Sequence, residues 1–239
     1  MAFLKSLERF YGTGERNRAG ESLEEFLEKY DPKKYDCPSN TTDIVVVRCR
    51  EKLVSWEQPL EVLLVKRSNH PSIGCWATPG GFVEMREDLE TGAARELEEE
   101  TGVKGLPLQQ LRTWGAFDRD PRWRVITTSF LALAEGDIPV KAGDDAADAL
   151  WMKVSLEKEE QTACTDRQIW KLALSNETAG ISLSARVLIT RRTDSLLPQE
   201  KYELLESRGI AVDHGCIITQ ALLYLKDRLK FTVCSSDIK

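Results

Sequence analysis

The stretch from Gly80 to Val103, GGFVEMREDLETGAARELEEETGV, constrains this chain more than any other. Two adjacent glycines precede a segment of helical pattern in which Glu96, Glu98, Glu99 and Glu100 stand almost side by side. Asp88 is placed to cap the start of such a helix and Gly102 to end it. On that helix Glu96, Glu99 and Glu100 fall at i, i+3 and i+4, on one face, while Ala93, Ala94 and Leu97 form an adjacent face suited to packing on a sheet. Like charges so close repel unless a cation sits among them, and hard oxygen ligands select magnesium or manganese over zinc. Such ions keep an incomplete protein shell and work with substrate phosphates. Gly80 and Gly81 leave the backbone free to approach a metal or a phosphate. Arg95 is spaced to neutralise Glu87 and hold the loop against the helix.

The flanking sequence supplies a sheet for this helix. DIVVVRCR and LEVLLVKR are apolar runs of strand length, CWATPGGFV is a short extended stretch, and LQQLRTWGAF, WRVITTSFLALA and DALWMKV follow as further strands. The closing DHGCIITQALLYLKDRLKF carries Ile217, Ile218, Ala221, Leu222, Leu225 and Leu229 on one helical stripe. Strands dominate, with one helix between them, which predicts an α+β or mixed-sheet sandwich. Residues 1–36 read as helical and polar, with Phe3, Leu4, Leu7 and Phe10, then Leu23, Phe26 and Leu27, at helical spacing. Residues 1–40 are therefore expected to form a helical extension and residues 41–239 the main domain. Within it, residues 155–208 are expected to be an insertion in which ISLSARVLITRR adds a strand to the domain or to a partner.

Composition narrows the function. A hydrophobic fraction of 41% suits a real core, and a net charge of -6 argues against a general nucleic-acid binder. The six cysteines show no CxxC spacing and there are only two histidines, which argues against structural zinc. Scattered thiols without a signal peptide fit a reducing, cytoplasmic setting. No apolar run approaches the ~20 residues of a membrane span.

The spacing from Gly81 through Glu87, Arg95, Glu96, Leu97, Glu99, Glu100, Gly102 and Val103 resembles the Nudix box at every fixed position. The resemblance implies the Nudix fold, a mixed β-sheet sandwiched between α-helices, and hydrolysis of a nucleoside diphosphate linked to another group. It implies that Glu96, Glu99, Glu100 and the carbonyl of Gly80 hold Mg2+ or Mn2+, and that Glu87 and Arg95 orient them. The general base in such proteins often comes from outside the box. The acidic GDDAAD makes Asp144 and Asp145 candidates, although Gly-Asp is also ordinary turn chemistry, and Glu99 is an alternative base.

GAFDRDPRWRVITTSFLAL, GDDAADALWM and IAVDHGCIITQALLYL are similar to segments of ADP-ribose pyrophosphatases and of related ADP-ribose-sensing Nudix regulators. Arg119, Arg122 and Arg124 are then candidates for phosphate or ribose contacts. Trp114, Phe117 and Trp123 offer faces for adenine. The reading is a pyrophosphohydrolase acting on ADP-ribose or a related small nucleoside diphosphate derivative; the alternative is an ADP-ribose-sensing transcriptional regulator. From Glu157 onward acidic and basic residues nearly balance and no basic recognition helix stands out, which favours the enzyme. His214 reads as a cap or packing residue, and His70 lies in a loop. The apolar stripe of the N-terminal segment predicts a homodimer.

Overall fold

The computed structural model describes residues 3–4, 6–143, 146–159, 167–192, 196–197 and 199–236, with side chains omitted at 146–147 and 231–236. The chain divides into two compact units, Met1–Cys37 and Pro38–Lys239. In the first, the only α-helix among the described residues is α1 (Leu23–Lys29). It starts with a complete capping box, in which Ser22 and Glu25 satisfy each other's backbone N–H groups. The expected helix before it is a three-residue 3-10 turn, Glu8–Phe10. Helix nucleation is costly, and Gly12 and Gly14 close the segment after too few turns to repay it.

The second unit is one mixed sheet with a helix on each face. Its strands are β1 (Ser39–Cys49), β2 (Glu61–Arg67), β3 (Trp76–Ala77), β4 (Gln109–Trp114), β5 (Val125–Glu135), β6 (Ala146–Lys158), β7 (Arg167–Asn176), β8 (Ile181–Arg192) and β9 (Gln199–Arg208). The order is β4-β5-β1-β2-β6-β7-β8-β9, with β3 paired to β2. Among the described strand pairs only β1 and β5 run parallel. The helices are α2 (Leu89–Thr101) and α3 (His214–Ser236).

The valine run of β1 explains the sandwich. A strand turns successive side chains to opposite faces, so a strand buried on both sides reads as continuous apolar sequence. Ile44 and Val46 pack with Ala93 and Leu97 of α2. Val45 and Val47 pack with Ile217, Ile218, Ala221 and Leu222 of α3. Leu63 and its neighbours Val62 and Leu64 divide the same way on β2. Ala94, expected on the packing face, is exposed.

The 155–208 segment continues the sheet of its own chain: β7, β8 and β9 follow β6 as antiparallel neighbours. Leu172, Leu174, Val187 and Ile189 are fully buried in the core that α3 shares. The sheet curls until its two outermost strands meet. Arg112 of β4 donates to the Glu200 carbonyl of β9 at 3.1 Å, and the Trp114 and Tyr202 rings meet edge to face at 5.6 Å. The α3 side of the sheet is thus closed by side chains rather than by a backbone ladder.

Candidate active site

Residues 79–83 lie along the start of β1, where Ile44 N–H donates to the Pro79 carbonyl at 2.8 Å and Thr42 N–H to Gly81 at 2.9 Å. Gly80 has φ +152°, and a Cβ there would overlap the Thr42 carbonyl. A Cβ on Gly81 would overlap the Glu96 carboxylate. Both glycines are therefore required by close approach, one to a strand and one to a carboxylate. Gly80 N–H donates to Oε2 of Glu100 at 2.9 Å, which ties the loop to the last turn of α2. That turn ends at Gly102, whose N–H donates to the Glu98 carbonyl in a left-handed cap. Asp88 occupies the N-cap position by backbone conformation, without a side-chain cap bond.

Arg95 organises the outer half of the cluster. Its Nε and Nη2 grip Glu87 at 3.1 and 2.7 Å, and Nη2 also reaches the Phe82 carbonyl at 3.0 Å. Its Nη1 donates to Glu96 at 2.8 Å and to Glu99 at 2.9 Å. These bonds hold the Glu87 carboxyl below its usual range and raise the arginine's own affinity for its proton. Glu96 and Glu100 move the other way. Burial raises Glu96 despite Arg95, and burial with the Glu96 and Asp43 charges pushes Glu100 up to about 7.

These carboxylates form one wall of a cleft of about 430 Å³, a volume suited to a small molecule. Glu96, Glu100, Gly80 and Gly81 line it, whereas Glu99 is 59% exposed on the Arg95 side. Among the described residues no three acidic, histidine or cysteine side chains stand in a ready ligating array, because Arg95 engages Glu96 and Glu99 while Glu100 faces Gly80. The donor chemistry nonetheless fits Mg2+ or Mn2+: the oxygens are hard, two carboxylates resist carrying charge without a counter-ion, and Gly81 leaves room beside Glu96.

The floor was not legible as a site. Asp43, buried at the start of the valine run, accepts from Thr127 Oγ1 at 2.7 Å and from Thr78 Oγ1 at 3.2 Å. His214, the first residue of α3, is buried, and its Nδ1 accepts from Thr78 N–H at 3.2 Å. That bond requires a lone pair on Nδ1 and puts the neutral ring's proton on Nε2. Asp213 pairs with Arg119 through two bonds of 3.0 Å. The one sequence signal for this network was a lone acid, Asp43, opening an apolar strand.

Lys66, Arg67, Arg119 and Arg122 supply positive charge to the cleft. Arg122 is braced by Asp120 and lies 5.5 Å over the Phe82 ring. Arg124 instead bonds the carbonyls of Gly115 and Ala116 and stabilises its own loop. Phe117 is 82% exposed and, like Trp114, Trp123 and Arg124, is not part of the cleft lining; Phe82 is the aromatic residue that lines it. His70 also lines it. Gly143 docks on α2 by donating to the Glu100 carbonyl at 2.9 Å. Asp144 and Asp145, next in sequence, lie outside the described residues.

The NUDIX domain family profile matches residues 40–170. The crystal structure of a MutT/nudix family protein from Enterococcus faecalis aligns over 95% of this chain and 76% of that one, at 31% identity and a TM-score of 0.63. The chain belongs to the Nudix family. This Nudix chain is 44% identical over 93 residues to an ADP-ribose pyrophosphatase of Methanocaldococcus jannaschii, which covers 39% of this chain and 54% of that protein. It is 35% identical over 114 residues to the ADPR responsive transcriptional repressor NtrR of Acinetobacter baylyi, covering 47% of this chain and 43% of the repressor. It thus spans about half the length of these curated relatives. No described helix is long and apolar enough to cross a membrane.

Proposed function

We propose that this Nudix chain is a metal-dependent pyrophosphohydrolase that cleaves the diphosphate of ADP-ribose, giving AMP and ribose 5-phosphate, or of a related nucleoside diphosphate derivative. The observation that carries the reading is the pair Glu96 and Glu100, crowded into a cleft beside two glycines that admit no side chain. The resemblance to the archaeal ADP-ribose pyrophosphatase supports the substrate. Glu96 and Glu100, with Glu99 and the Gly80 carbonyl, would hold Mg2+ or Mn2+, which when bound would polarise the diphosphate and lower the pKa of water.

The chain's own residues have separable tasks. Arg95 anchors Glu87 and holds Glu96 and Glu99 beside the cleft in the metal-free chain, so a cation would take over its bonds to Glu96 and Glu99 while the Arg95–Glu87 pair keeps the loop in place. Arg119 and Arg122, which line the same cleft, give the diphosphate counter-charges, and the Phe82 face offers a stacking surface for a base. Glu99, exposed and able to exchange Arg95 for water, is the described candidate for the base; Asp145 remains the second candidate.

The alternative, an ADP-ribose-sensing regulator, draws on the repressor match. One experiment separates the two. ADP-ribose, NADH, sugar nucleotides and dinucleoside polyphosphates are screened for hydrolysis with magnesium and manganese, alongside a DNA-shift assay at physiological salt. Cleavage of ADP-ribose without a shift supports the enzyme. Intact ADP-ribose with a DNA complex that ADP-ribose releases installs the regulator.

A further inference from the structure

Arg119 sits on the cleft with its side chain only 8% exposed. Asp213 takes its Nε and Nη2, each at 3.0 Å, and Asp43 lies 3.9 Å from Nη2. Its Nη1 has no partner in the described structure. Nη1 is not among the enclosed side-chain atoms that lack a partner, so it is open to solvent at the cleft, where a ligand oxygen can take a charge-assisted bond from it. A guanidinium gripped along one edge has few rotamers left to lose, so an anion meeting the free edge gains a charge-assisted bond without first ordering the side chain.

A purely structural role for the Asp213–Arg119 pair is less economical. Buried ion pairs stabilise folds weakly, because desolvation offsets the attraction. The loop that carries Arg119 has other braces, Arg124 to the carbonyls of Gly115 and Ala116 and Arg122 to Asp120. The start of α3 is also tied down without this pair, through His214 to Thr78.

We propose that Asp213 is a positioning residue: by gripping two nitrogens of Arg119 it sets the free Nη1 edge of that guanidinium to receive a phosphate oxygen of the substrate. This rests on the diphosphate reading of the cleft, and so the test uses a probe that does not presuppose ADP-ribose. The binding of inorganic pyrophosphate, with magnesium, is measured by titration calorimetry for the wild type, Asp213→Asn, Arg119→Gln and the double variant, with thermal unfolding followed in parallel. Asp213→Asn keeps the shape and removes the charge. The expected result is a Kd about tenfold higher in each single variant, and no further increase in the double variant, because both changes delete one interaction. In ADP-ribose turnover KM rises by the same factor while kcat changes little. A merely structural role gives the opposite pattern, a lower unfolding temperature with Kd and KM unchanged in the folded fraction. That pattern overturns the proposal, as does strict additivity of the two changes or a wild type that binds no pyrophosphate. Asp213→Glu, which restores the charge, recovers part of the lost affinity; if Asp213→Asn is poorly folded, comparison of Asp213→Glu with Arg119→Gln carries the test. A wild type that binds pyrophosphate yet leaves ADP-ribose intact refutes the ADP-ribose assignment and leaves the role of Asp213 standing.

Discussion

Replacing Glu100 by glutamine should make the metal-free protein more stable while disabling the site. In the folded chain burial lifts this carboxyl from 4.5 to about 7. Between those values the unfolded chain releases a proton that the native chain keeps, so native stability falls as pH rises through this window. At 1.36 kcal/mol per unit the full penalty is roughly 3 kcal/mol, complete above about pH 8. Glutamine removes the charge and retains an oxygen for the Gly80 N–H. In EDTA, urea unfolding of the wild type should show stability declining from pH 5 to pH 8. The Glu100→Gln curve should keep only the smaller decline that the raised Glu96 carboxyl leaves, and lie about 2–3 kcal/mol higher at pH 8. Magnesium should reverse the order, stabilising the wild type by binding the native state and raising the variant far less. A variant less stable than the wild type at pH 8 without metal, or an equal magnesium gain in both, would refute the reasoning.

Gly80→Ala should destabilise by about 3 kcal/mol, since the new Cβ meets the Thr42 carbonyl and the residue has φ +152°. Gly102→Ala, at φ +72° with open space around it, should cost only about 1–2 kcal/mol in the same unfolding assay. The exposed Phe3, Phe10 and Phe26 motivate a homodimer, to be read by light scattering at micromolar concentration; a monomer there removes the claim.

Where local chemistry decides structure, the sequence was readable. The helix end at Gly102 and the i, i+3, i+4 carboxylates follow from helix geometry, and DIVVVRCR announces a strand, though not that both of its faces are buried. Where distant segments decide, it was not. β9 is built from QEKYELLESR, whose charges suit an edge strand but alternate too weakly to announce one; its ladder to β8 makes it a strand. The Asp43 network joins residues near 43, 78, 127 and 214 that no spacing connects. Arginines are equally opaque, because their role depends on what they find. Arg119 finds a buried aspartate at the cleft, and Arg124 finds the carbonyls of its own loop. For the same reason the spacing that gathers Glu99 with Glu96 and Glu100 did not reveal that Glu99 is exposed and paired with Arg95.

The central claim is that clustered carboxylates beside Gly80 and Gly81 serve to break a diphosphate. Its most direct measurement is chromatography of ADP-ribose incubated with the full chain, with magnesium and then with EDTA. The account predicts equal amounts of AMP and ribose 5-phosphate with magnesium, neither product with EDTA, and neither with the Glu100→Gln variant. Unchanged ADP-ribose in the magnesium arm, or products that form equally in EDTA, would contradict it.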